Sequence, residues 1–200
     1  MGRNLAVSVR DWNMVKIDKI YTKGGDAGQT SLGSGERVYK HSLRITAQGD
    51  IDETNAAIGL ARLHSEPETL KSLTRIQNDL FDLGADIARP GSNIDGNLRI
   101  QSSQVSWLEA EIDNVNRTLE PLRSFILRGG SETAAFLHFA CTICRRAERS
   151  MTALAEKEAI NAEALKYINR LSDLLFVMAR QANDKGRDDI LWVPGANRAG

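Results

Sequence analysis

Two hundred residues, 42% hydrophobic, 6% aromatic and 26% charged, describe a globular chain long enough to bury a core without disulfide or metal support. Its 26 basic and 26 acidic side chains cancel, which excludes a general nucleic-acid coat and a polybasic membrane binder. Two cysteines, Cys141 and Cys144, exclude a disulfide scaffold and fit a reducing, cytoplasmic setting.

Residues 1–13 hold Arg3, Arg10 and Asp11 without a continuous apolar core, so a flexible terminus rather than a secretory signal is expected there. Residues 14–42 are aperiodic. Five glycines fall between Thr22 and Lys40, interleaved with Thr30, Ser31 and Ser34 and flanked by Lys23, Arg37 and Lys40. Such a segment either cradles a polyphosphate on backbone N–H groups or serves as a flexible linker. Neither GxxxxGK[ST] nor GxGxxG is present, so a phosphate site here is of another kind.

From residue 45 onward the apolar spacing predicts helices. The first, over 45–64, is the weakest, with Ile51, Ile58 and Ala61 in a polar stretch. Pro67 suits an early helix turn, and Leu73, Ile76, Leu80, Leu83 and Ile87 step by three and four through 70–87. After the breaker run at 89–93, Val105, Leu108, Ile112, Val115 and Leu119 predict a third helix over 101–119. Ser131 is the expected N-cap of a fourth, carrying the row Leu137, Cys141, Cys144, Glu148, Met151 and Ala155. Asn161 is the expected cap of a fifth, with Leu165, Ile168, Leu171, Leu175 and Met178. No apolar run approaches the roughly 20 residues of a membrane helix. The expected fold class is all-α: an antiparallel five-helix bundle (43–184) preceded by a glycine-rich loop (14–42), with 185–200 as a flexible tail.

The neutral total hides two basic blocks. Residues 1–44 hold eight basic and four acidic side chains, and residues 123–149 hold five and two. If folding or assembly joins them they form an anion site; otherwise they are solvated surface. Within the second block, Arg145 and Arg149 are four apart on one helix face, shared by His138, and Glu148 borders the apolar row. Arg146 points elsewhere. A guanidinium pair beside a part-buried glutamate suits a triphosphate, and equally suits intrahelical ion pairs. Cys141 and Cys144 spell CxxC in mid-helix with no further ligands, which reads as packing. None of His41, His64 and His138 follows a glutamate by three, against a di-iron bundle.

Three blocks in fixed order carry a resemblance. They are Tyr21 to Lys40, with the pattern TKxGDxGxT followed by GERxxK; Gly49 to Asn55 with Ala57-Ile58-Gly59; and Phe125 to Arg149 followed by Asn169-Arg170-Leu171-Ser172-Asp173. From about Lys19 to Asn183 the chain resembles the PduO-type ATP:cob(I)alamin adenosyltransferases. The resemblance implies a homotrimer that takes ATP between subunits, with Mg²⁺ on the phosphates and cobalamin as second substrate. It implies ATP-binding roles for Thr22, Lys23, Gly24, Gly25, Thr30 and Lys40, and for Arg145, Arg146, Ala147, Glu148, Arg149 and Asn169. Arg145 would be the essential triphosphate arginine, Glu148 its orienting partner, Asp52 a third catalytic residue on the corrin side, and Phe125 the ring beneath the corrin. No metal ligand from the protein is implied. A cobalamin reductase and an adenosylcobalamin-dependent enzyme are the implied partners, with no nucleic acid and no membrane.

Three positions depart from the family pattern. Arg128 stands where proline is usual, Cys141 where arginine is usual and Gln48 where an aromatic is usual. These changes fall on the corrin side. They predict near-normal ATP binding with weakened corrin handling, or alternatively a binding relative without catalysis. Arg128 could supply the charge missing at 141.

Overall fold

The computed structural model describes residues 19–91 and 98–198. The reading of residues 1–13 lies outside the described residues. Five helices follow a two-stranded hairpin: β1 (Gln29–Ser31), β2 (Arg37–Tyr39), α1 (Leu43–Arg62), α2 (Pro67–Ile87), α3 (Ser102–Asn116), α4 (Glu132–Ala155) and α5 (Ala162–Ala182). The expected all-α class holds, and each predicted helix is present. α4 is the centre, packed between α1 and α5; α2 packs on α1, and α3 on α5.

The stripes explain the packing. Leu73, Ile76, Leu80, Leu83 and Ile87 of α2 are all buried, as are Ile51, Ile58 and Ala61 of α1. The weak periodicity of α1 reflects small and polar inward residues: Ala47, Thr54 and Ala57 are buried too. α3 ends at Asn116, so Leu119 is buried from the following turn rather than from the helix. In α4, Leu154 takes the buried place expected for Ala155, because a 3.6-residue period drifts from a strict three-four count over six turns. Ser131 caps α4 by accepting from the Ala134 N–H at 3.2 Å, and Asn161 caps α5 through the Glu163 N–H at 3.1 Å.

Buried charges tie the helix ends together. Arg44 donates to the Ile87 carbonyl at 2.5 Å and pairs with Glu158. Asp86 accepts from Arg99 Nη1 at 2.7 Å, from the Ile100 N–H at 2.8 Å and from Asn161 Nδ2 at 2.7 Å. Both cysteines are buried, and each thiol donates to an α5 carbonyl, Cys141 to Ser172 and Cys144 to Ile168. Burial pushes both thiols up, so neither is a thiolate nucleophile.

The tail after Lys185, expected to be flexible, is instead fastened to the bundle. Asp189 pairs with the buried Arg180 at 2.8 Å. The chain then runs alongside the Phe125 segment: the Leu127 N–H donates to the Ile190 carbonyl at 2.8 Å, and the Trp192 N–H to the Phe125 carbonyl at 2.7 Å.

Candidate active site

The glycine-rich segment is not a loose linker. β1 and β2 pair antiparallel with Thr30 opposite Val38. Leu32 is buried, and the Gly33 N–H donates to the Ala88 carbonyl at 3.0 Å, docking the hairpin on the end of α2. Arg37 holds the preceding turn, donating to the Gly24 carbonyl at 2.6 Å and to Ser31 Oγ at 3.3 Å. Lys40 lies over Gly25, where a Cβ would sit 3.0 Å from Nζ. Gly25 thus admits an ammonium against bare backbone. Thr22, Lys23, Gly24, Gly25 and Lys40 therefore gather at one end of the hairpin. Thr30, Lys40, Gln48 and Asp52 line one groove of about 670 Å³ between the hairpin, α1 and α2. Phe81 on its wall is 70% exposed. Asp52 makes no ion pair among the described residues.

Arg145, Glu148 and Arg149 line a second groove of about 420 Å³ on α4. The two grooves share no lining residue. Arg149 Nη1 donates to the Arg145 carbonyl at 3.0 Å, while the Arg145 side chain is exposed. Glu148 does not orient Arg145 here. It accepts from Asn169 Nδ2 at 2.7 Å and so joins Asn169 to this half-site.

Two further residues carried over by resemblance have other surroundings within the protomer. Ala147 is fully buried in the core, so its side chain cannot meet a ligand. Arg146 is spent on α1, paired with Asp50 at 3.2 Å and with Glu53, because it faces the α1–α4 seam rather than the Arg145 face.

Phe125 stands 78% exposed, its ring centroid 6.1 Å from that of Trp192. Sequence reading missed Trp192, since its contact is made by backbone pairing between distant segments. It also missed what surrounds Arg128. The Arg128 Nη1 donates to His138 Nδ1 at 3.1 Å, and its guanidinium lies 5.1 Å from the Phe176 centroid. His138 is almost fully buried. Burial first, and the Arg128 charge second, lower its pKa to about 4, so the ring is neutral at physiological pH.

This shift has a sign. Unfolded His138 titrates near its ordinary value of about 6.5, folded His138 near 4. Between those values the unfolded chain binds more protons, so stability is full above about pH 6.5 and falls as pH drops toward 4. We expect acidification through that window to cost on the order of 3 kcal/mol, read as a falling Tm. His138→Gln should flatten that dependence; an equally steep acid limb in the variant would remove His138 as its source.

The fold is a five-helix bundle with two cationic surfaces, one by the glycine-rich hairpin and one on the face of α4. The cobalamin adenosyltransferase family model matches residues 20–182, and the chain belongs to that family. It is 46% identical over 180 residues to a cobalamin adenosyltransferase of Cupriavidus metallidurans, covering 88% of this chain and 95% of that one. It is 46% identical over 190 residues to a corrinoid adenosyltransferase of Mycobacterium bovis, covering 92% and 97%. Among solved structures it is similar to a variant PduO-type ATP:corrinoid adenosyltransferase from Lactobacillus reuteri complexed with cobalamin and ATP. The TM-score is 0.81 at 38% identity, covering 87% of this chain and 99% of that one.

Proposed function

We propose that the protein transfers the 5′-deoxyadenosyl group of ATP to the cobalt of cob(I)alamin, giving adenosylcobalamin and triphosphate. The cobalt(I) electron pair attacks C5′ and forms the Co–C bond. The C5′–O bond breaks, and its pair leaves on the triphosphate. Cobalt(I) is itself the nucleophile, so the protein needs no general base. It must align two reactants and stabilise a departing polyanion. The observation that carries this reading is the pair of complementary half-sites: Lys23, Gly25 and Lys40 on the hairpin, and the exposed Arg145/Arg149 row on α4. Backbone N–H groups and an ammonium suit one end of a triphosphate, and a guanidinium row the other.

In this reading the two half-sites belong to neighbouring copies of a homotrimer, with ATP taken between them. Among the described residues no group of three His, Cys, Asp or Glu could hold a metal. In this reading Mg²⁺ enters on the phosphate oxygens as MgATP, where it offsets part of the triphosphate charge. Phe125 supplies an apolar platform for the corrin, with Trp192 beside it. The binding-only alternative rests on the departures at Arg128, Cys141 and Gln48 alone. The setting is cytoplasmic, with a cobalamin reductase upstream and an adenosylcobalamin-dependent enzyme downstream. No helix among the described residues is long and apolar enough to cross a membrane.

The test is anaerobic incubation with chemically reduced cobalamin and MgATP. Loss of the cob(I)alamin absorbance with stoichiometric adenosylcobalamin is expected, together with an ATP-dependent rise in Tm. A Tm rise without product would leave only a nucleotide binder, and the absence of both signals would overturn the reading.

A further inference from the structure

Arg128 leaves the loop that carries Phe125 and reaches back over the bundle. Two side chains on two helices fix its guanidinium: His138 of α4 by a hydrogen bond and Phe176 of α5 by its ring face. The other arginines that hold this fold together look different. Arg44, Arg99 and Arg180 are buried, and each is paired with a carboxylate, of Glu158, Asp86 and Asp189 respectively. Arg128 is exposed and makes no ion pair among the described residues. Its partners are a neutral imidazole and an aromatic face, neither of which neutralises it.

Such an arrangement immobilises a cation while leaving its charge and several of its five N–H donors unspent. Ordering a long side chain costs entropy in advance, which is then not lost again when a ligand binds. The placement narrows the ligand. Arg128 is three residues from Phe125 in the same loop. Its anchor His138 lies about two helical turns before Arg145 on α4, and Arg128 does not line the Arg145/Arg149 groove. It therefore stands at the Phe125 end of the α4 row, away from the triphosphate half-site.

The geometry points to Arg128 as a corrinoid-binding residue: a preset donor for carboxamide oxygens on the rim of the macrocycle seated on Phe125, with His138 as its positioning residue. This inference rests on the adenosyltransferase reading and adds to it a contact supplied by this chain's own loop. A guanidinium suits the task because its fork can give two parallel N–H bonds to carbonyl oxygen. His138 must stay neutral for the contact, since only then does Nδ1 accept.

The experiment compares the full-length wild type with Arg128→Ala, Arg128→Gln and Arg128→Lys. Cobalamin affinity is read by absorbance titration, ATP affinity by calorimetry, and Tm in parallel. We expect Arg128→Ala and Arg128→Gln to weaken cobalamin roughly 5- to 20-fold while ATP affinity stays within about 2-fold. Arg128→Lys should recover part of the loss. His138→Leu should raise the cobalamin KM at unchanged ATP KM, and His138→Gln, which keeps an acceptor, should restore it. Unchanged cobalamin affinity in both Arg128→Ala and Arg128→Gln would overturn the inference, and so would equal losses for the two substrates. If the wild type makes adenosylcobalamin while these variants match it, only the Arg128 assignment fails. If the wild type binds no cobalamin, the underlying reading fails with it.

Discussion

Arg145→Ala should lower kcat/KM by roughly two to three orders of magnitude while leaving Tm almost unchanged. The stability half follows from exposure: Arg145 is solvent-facing, its backbone bonds within α4 are kept by alanine, and the bond from Arg149 Nη1 is accepted by its carbonyl, which alanine retains. The rate half follows from the reaction. Negative charge builds on the triphosphate as the C5′–O bond breaks, and a guanidinium aimed there acts on the transition state more than on bound ATP. Arg145→Lys keeps the charge but loses the planar fork, so a loss of roughly 10- to 100-fold is expected. A loss of less than about 5-fold for the alanine variant would remove Arg145 from the chemistry.

The same variant tests whether the site lies between copies. Lys40 and Arg145 line separate grooves in one protomer. If the site forms across an interface, Arg145→Ala and Lys40→Ala chains that are each nearly inactive should complement on co-refolding. Random mixing restores both halves at about a quarter of the sites, so activity should rise toward that fraction of wild type. A mixture no more active than its components would place both half-sites in one chain or put one of them outside the reaction.

Why the helices were legible and parts of the site were not has a physical basis. A stripe such as Leu73-Ile76-Leu80-Leu83 is a local pattern imposed by one helix period, and its burial follows wherever the helix packs. The caps at Ser131 and Asn161 are equally local, each a side chain closing on its own helix. The hairpin is harder. Its strands are three residues each, and only Val38 is even half-buried in β2, so no alternating pattern marks it. Its docking rests on one backbone bond from Gly33 to Ala88 and on buried Leu32. The pairing of Ile190–Trp192 with Phe125–Leu127 joins segments more than 60 residues apart through main-chain groups that every residue possesses. Composition says nothing about such a contact. Within the α4 motif, spacing correctly separated Arg146 from the Arg145/Arg149 face, whereas the resemblance grouped all three with Ala147. Within the protomer Arg146 pairs with the α1 carboxylates Asp50 and Glu53. The Arg128 cluster needed the tertiary structure outright, since His138 and Phe176 come from different helices.

Gly130→Ala should be the most destabilising of these substitutions, costing about 4 kcal/mol or more and lowering Tm by roughly 8–16 °C. Gly130 has φ of +108°, where an L side chain is strained. A Cβ there would stand 2.0 Å from Asn183 Oδ1 and 2.5 Å from its Cγ. Asn183 cannot step aside cheaply. Its Oδ1 accepts from the Ser131 N–H at 3.0 Å, at the start of α4. Its Nδ2 donates to the Gly129 carbonyl and to Asp189 Oδ1, each at 3.1 Å. Asp189 in turn neutralises the buried Arg180, which donates to the Glu120 carbonyl at 3.0 Å. Displacing one amide therefore loosens the loop of Phe125 and Arg128, the first turn of α4 and the tail together. Gly129→Ala is the control: a Cβ there meets nothing within 4 Å, and its Tm should move by less than about 3 °C. Clash and lost bonds can be separated in a cycle with Asn183→Ala. That change alone leaves buried groups unpaired, but it clears the space a Cβ at 130 would need. The double variant should then be clearly more stable than the sum of the two single losses. Strict additivity, or a Gly130→Ala protein melting with the wild type, would show that the loop seats itself without the glycine–asparagine contact.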